Sequence, residues 1–191
     1  MKVNVLIDGG FLEQALKKQK KQLSIAEVDA IVSTTMSSLQ AKIGAVANVS
    51  LFRVLYYDSF PFEGSKKDPN GKVIDFSSNP IVPAKNAFLH EIAKQDRYGL
   101  RAGQLSFRGW NAISNGKYLP IFQQKGVDMK CGLDIAAMSM KKIVDIIIII
   151  AGDSDFIEPL KVARKEGVLV AIQPLGLPIK DELIKHSDFK L

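Results

Sequence analysis

The stretch IVDIIIIIAGDSDF, residues 143–156, decides how the rest of the chain is read. From Ile143 to Ala151 it is apolar except for Asp145, the pattern of a central parallel strand buried on both faces. It breaks into Gly152-Asp153-Ser154-Asp155. A helix is expected to follow as far as Glu166, stopped by Gly167 in the C-cap position.

A parallel strand needs parallel neighbours joined by crossovers. Val3 to Ile7 reads as a short strand broken by Asp8-Gly9-Gly10, with a helix from Phe11 to about Lys21. Ser24 and Glu27 form a capping box. The stripe behind it, Ile25, Val28, Val32, Met36, Leu39 and Ile43, suits a helix lying on a sheet. Val49 to Tyr57 reads as the second strand, Asn86 to Asp96 as a helix and Leu100 to Phe107 as the third strand. Asn115-Gly116 marks a hairpin between Ser106–Ala112 and Lys117–Phe122. A helix over roughly Asp128–Lys142 feeds the central strand, Val168–Gln173 is the last strand, and Ile179–His186 a short helix. Residues 58–83 carry Pro61, Pro69, Gly71, Pro80 and Pro83 and little periodicity, so they read as a long loop, either functional or disordered. With no repeat and no linker, the pattern predicts one α/β domain over residues 1–191, with a parallel sheet covered by helices on both faces.

Composition excludes disorder, since 47% of residues are hydrophobic and 24% charged. The net charge of +6 favours a polyanionic partner without choosing among RNA, DNA and anionic lipid. Lys17, Lys18, Lys20 and Lys21 fall where a helix dipole welcomes cations, and phosphate contact is the alternative reading. Cys131 is the only cysteine, which excludes a disulfide within the chain and a cysteine-rich zinc site. No signal-peptide pattern opens the chain and no apolar run is long enough to span a bilayer, so a cytoplasmic protein is expected.

In open parallel sheets, ligands sit beyond the carboxyl ends of the strands. Asp8 follows the first strand there, and Asp153 and Asp155 follow the central one. If those strands are neighbours, three carboxylates meet, and Asp128, opening the preceding helix, lies nearby. No Arg or Lys counter-charge is evident. Two bare anions about 4 Å apart repel by roughly 4 kcal/mol at an effective dielectric near 20. A divalent cation relieves that cost, and ligands that are all oxygen favour Mg²⁺ or Mn²⁺ over zinc. Each residue also has a plainer role. Asp8 could make an Asx-turn. Asp155 with Glu158 could form a capping box, and Asp128 could be an N-cap. Asp134 could belong to an ion-pair face with Lys130 and Lys141. Asp153 is the hardest to dismiss.

Other chemistries fit poorly. His90 and His186 lie beside no acidic motif, Cys131 has no histidine near it, and Gly9-Gly10 completes no nucleotide-binding signature. Tyr56, Tyr57, Phe107 and Trp110 could stack on bases, although strand aromatics are more often core.

Three blocks, VLIDGGFL (5–12), KGVDMKCGLDIA (125–136) and IIIAGDSDFIEPLKVARKEG (148–167), resemble the signature blocks of the NYN domain family within the PIN-like nuclease superfamily, in a LabA-like bacterial subgroup. LYYDS (55–59) and ELIKHSDFKL (182–191) resemble its flanking elements. The resemblance implies a three-layer α/β/α, Rossmann-like fold with a mostly parallel five-stranded sheet of order 3-2-1-4-5, plus a small hairpin. It further implies a ribonuclease of single-stranded or structured RNA with an acidic Mg²⁺ or Mn²⁺ site. The matching positions are Asp8, Asp128, Asp153 and Asp155, with Asp134 as a further candidate ligand. Lys125, Lys130 and Arg108 are candidates for RNA contact. Near Phe11 several PIN-like relatives carry an asparagine while others of the bacterial subgroup carry an aromatic, so any polar help from that side chain is absent here. Self-association as a homodimer is left open. Two rival readings remain: a non-catalytic NYN regulator that binds RNA or protein, and a metal-dependent phosphohydrolase of small phosphate esters.

Overall fold

The structure is a computed structural model that describes residues 1–191, the side chain of Ser114 excepted. Its frame is a seven-stranded sheet. The first strand, β1 (Lys2–Asp8), lies in the middle. It pairs in parallel with β2 (Ser50–Phe60) on one side and β7 (Ile146–Ile150) on the other. Beyond β2 come β5 (Tyr98–Ile113) and β6 (Lys117–Lys125), and beyond β7 come β8 (Leu169–Ile172) and β9 (Phe189–Lys190). The five strands expected from the sequence stand in the expected order, but the sheet has seven. β6 adds to one edge antiparallel to β5, and the two-residue β9 adds to the other.

The hairpin was expected as a separate feature, yet its first arm is the third strand prolonged. Residues 98–104 of β5 pair in parallel with β2, and residues 104–113 pair with β6. Asn115 and Gly116 both take φ of 66°, the left-handed conformation that suits this dipeptide to a tight hairpin turn. The expected 58–83 loop also has structure. It holds a two-stranded antiparallel sheet of β3 (Ser65–Lys67) and β4 (Val73–Asp75), which no periodicity announced because each strand has three residues. An aromatic group, Phe62, Phe76, Phe107, Trp110 and Phe122, fastens this small sheet to the hairpin, with ring centroids 5.2–6.3 Å apart. The Trp110 indole also donates to the Lys67 carbonyl at 2.9 Å.

Helices cover both faces. Alternation along β7 divides its isoleucines: Ile147 and Ile149 pack under α4 (Val127–Met140) and α5 (Ile157–Lys165). Ile146, Ile148 and Ile150 pack under α1 (Gly9–Lys18), α2 (Ile25–Ile43) and α3 (Ile81–Ile92). A last short helix, α6 (Asp181–Lys185), precedes β9. Asp145, the polar residue in the apolar stretch, stands just outside β7 and accepts from the Lys2 amide at 2.6 Å. α3 begins five residues before the expected Asn86, because Pro83 occupies its first turn, where a missing N–H costs nothing.

Candidate metal and nucleic-acid site

Three neighbouring parallel strands end in carboxylates at the same edge of the sheet. Asp8 closes β1 in register with Tyr57, Asp58 follows in β2, and Asp153 lies three residues beyond the end of β7. Asp8 and Asp153 line one hollow of about 380 Å³ together with Phe11, Gln14, Gly152 and Lys180. Their backbones are fixed by local capping. Asp8 is the N-cap of α1 and its Oδ1 accepts from the Phe11 amide at 3.1 Å. Asp153 Oδ1 accepts from the Asp155 amide at 3.2 Å and caps the short turn Ser154–Phe156. The Phe11 ring packs closely against Gly152 of the acidic turn, since a Cβ there would lie 2.5 Å from Cε2 of that ring. The Phe11 side chain therefore wedges α1 against the turn.

The plainer roles fall differently from expectation. Asp155 is not an N-cap: Phe156 precedes α5 with no side-chain cap, and Asp153 does the capping instead. Asp128 is not an N-cap either. Gly126 holds that place in a left-handed conformation, leaving Asp128 exposed in the first turn of α4. Asp134 forms no pair with Lys130 or Lys141. Its Oδ2 accepts from Arg101 Nε at 2.7 Å and from the Tyr57 hydroxyl at 2.9 Å, which ties α4 to β5 and β2.

Charge couples the acidic residues. Burial, then the negative charges of Asp128 and Asp58, hold the Asp8 carboxyl above its ordinary range, against the lowering effect of its backbone hydrogen bonds. Asp128, although its side chain reaches solvent, is raised by partial desolvation and then by the charges of Asp153 and Asp155. Among the described residues, however, no three His, Cys, Asp or Glu side chains converge closely enough to hold an ion between them. The carboxylates share a field rather than a ready-made cage.

Counter-charges that the sequence hid are present. Lys85 Nζ binds Asp58 Oδ2 at 2.6 Å and also Glu13. Burial outweighs this pairing for Asp58, whose carboxyl is raised, while the two carboxylates outweigh burial for Lys85, whose ammonium is held charged. The two shifts pull opposite ways, and the close contact favours the charged pair. Lys180 reaches Ser154 Oγ at 2.8 Å at the rim of the hollow. Asp58 had a readable signal, the same strand-then-aspartate pattern as Ile7-Asp8. Lys85 and Lys180 had none, because each lies on a segment whose placement depends on the folded chain.

None of the expected RNA-contacting residues lines the hollow. Lys125 is exposed at the end of β6, Lys130 donates to the Ala102 carbonyl at 2.5 Å, and Arg108 donates to Gln123 across the hairpin at 2.7 Å. Tyr56 and Tyr57 are buried core, and Phe107 and Trp110 belong to the aromatic group. Cys131 is buried and its thiol pushed well up, foremost by that burial, which leaves it inert. Among the described residues, no helix is long and apolar enough to cross a membrane.

Comparison with curated proteins and with solved structures found no match. The family model described as NYN domain matches residues 82–188, more than half of the chain, a span that contains Asp128, Asp134, Asp153 and Asp155 but not Asp8 or Asp58. On that match the chain belongs to the NYN domain family, a group of predicted ribonucleases.

Proposed function

We propose that the protein is a cytoplasmic, divalent-metal-dependent ribonuclease of the LabA-like, PIN-like branch, folded as one NYN domain over residues 1–191, with the hollow between Asp8 and Asp153 as its active centre. The observation that carries the reading is that these two carboxylates, at the ends of adjacent parallel strands, line one hollow, with Asp128 near enough to raise Asp8 and to be raised by Asp153 and Asp155. The donor chemistry fits a hard dication: the acidic donors offer only oxygen, and Asp8, Asp128 and Asp155 have no basic partner among the described residues. Mg²⁺ keeps several waters and needs only one or two carboxylates, so the lack of a three-ligand cage does not conflict with it. Asp8 and Asp153 would hold the ion, with Asp128 and Asp155 extending the site. When bound, such an ion lowers the pKa of a water and offsets phosphate charge.

The chain's own residues do the rest. Capping amides keep one oxygen of Asp8 and one of Asp153 aimed, the Phe11 wedge fixes the spacing of their backbones, and Lys180 puts a cation at the rim, where a flanking phosphate would lie. Asp134 is better read as a positioning residue than as a ligand, because its Oδ2 is already engaged by Arg101 and Tyr57. The test is cleavage of mixed RNA and single-stranded DNA with Mn²⁺. Asp8→Asn and Asp153→Asn are expected to abolish cleavage with the fold intact. Wild-type rates in Asp153→Asn would end the assignment. One observation favours a second reading, a non-catalytic RNA-binding regulator: Asp8 and Asp153 are both employed as caps. Absence of Mn²⁺ binding by calorimetry would select it.

A further inference from the structure

A cavity of about 790 Å³, roomier than the acidic hollow, lies in the groove between α1 and α3. The two adjoin, because Gly10 and Gln14 line both. Gly10, Gln14 and Lys17 are spaced four and three residues apart, so they form one stripe along α1. That stripe leads from the hollow to Lys17, about 10 Å along the helix. The groove has two kinds of wall. Ile81, which is 69% exposed, and Phe88 are apolar. Lys17, Lys21 and Lys85 are basic, against the single carboxylate of Glu13. Lys85 is committed to Asp58 and Glu13, and Lys21 to Glu27. Lys17 has no ion pair among the described residues. Its neighbour Lys18 is tied to the Gly176 carbonyl at 3.1 Å and does the ordinary work of a cation at a helix end.

We propose that this groove seats the nucleotides of a single-stranded RNA lying to one side of the phosphate in the acidic hollow, with Lys17 on a phosphate and the Ile81–Phe88 wall against base faces. The proposal rests on the ribonuclease reading of the hollow. An unpaired strand presents base faces and phosphates together, whereas a duplex hides the faces, so a groove with apolar and cationic walls suits the former. Its continuity with the hollow supplies the direction of the strand.

The test measures affinity for an unstructured RNA oligonucleotide by fluorescence anisotropy across salt concentrations, in the cleavage-inactive Asp153→Asn protein. Lys17→Gln is expected to weaken binding several-fold and to reduce the log–log salt slope by about 0.7, the amount for one phosphate on a single strand. Ile81→Ser is expected to weaken binding with the slope unchanged. Both sites are exposed, and an unaltered melting temperature would confirm that each variant folds. Unchanged affinity and slope in both variants overturn the groove while leaving cleavage by the wild type as separate support for the nuclease. Duplex RNA competing as well as the single strand also overturns it. If the wild type fails to cleave but both variants still weaken binding as described, the nuclease reading falls and the groove stands as an RNA seat.

Discussion

At the scale of single residues, the acidic edge trades stability for charge. Asp8 is raised above its ordinary range by burial and by like charge, so its ionised form costs the fold free energy. For a carboxyl whose folded pKa exceeds its unfolded value, that cost is absent below the unfolded pKa near 4 and fully present above the folded one. Asp8→Asn keeps an oxygen to cap the Phe11 amide but removes the charge. The ion-free variant is therefore expected to melt a few degrees higher than the parent at neutral pH, with the gain shrinking as the pH falls toward 4. Scanning fluorimetry across pH checks this, and a lower melting point at neutral pH would contradict it. Asp134 is expected to behave in the opposite way. Asp134→Ala strands the Arg101 guanidinium and the Tyr57 hydroxyl, and should cost about 1–3 kcal/mol in urea unfolding. Asn at this position should recover part of that loss, and should retain Mn²⁺ affinity if the residue positions rather than ligates.

Among the elements, α1 is held by two close approaches. Gly9 starts it against Asp58, whose Oδ2 would collide with any Cβ there, and Phe11 lies on Gly152. Gly9→Ala is expected to cost about 1–3 kcal/mol, because both the helix start and the buried Asp58–Lys85 pair must shift. Denaturant titration gives the number, and a change within error would argue that the helix start is pliable. Neither approach can be seen in the sequence, since both depend on β1, β2 and β7 lying side by side. What could be read there were features with a local cause: the isoleucine run of β7, the Ser24–Glu27 cap realised at 3.2 Å, the Asn115-Gly116 turn, and aspartates at strand ends. The three-residue strands β3 and β4 were beyond reach for the same reason. They are too short to show a period and depend on the aromatic group for their place. Trp110→Ala should loosen that fastening, so proteolysis within residues 61–79 is expected to quicken well before the main sheet unfolds.

Over the whole molecule, the sheet's edges differ in reach. One ends in the two-residue β9, while the other carries a hairpin whose first arm is continuous with a strand inside the sheet. At about 3.3 Å per residue, β5 is a rod of roughly 50 Å. Its inner half is clamped to β2 and bears Arg101, the residue that grips Asp134 in α4, the helix that also carries Asp128. Mechanically it is a beam clamped at β2 and propped further out, where the aromatic group and the bond from Asn70 to the Gly116 carbonyl brace the hairpin. A load on the tip near residues 113–117 is shared between that brace and the clamp, and what the brace passes on reaches the Arg101 grip on α4. Docking a bulky protein at the tip, or fusing one there, is therefore expected to change turnover more than substrate affinity, and kcat and KM measured on such a fusion would report the gearing.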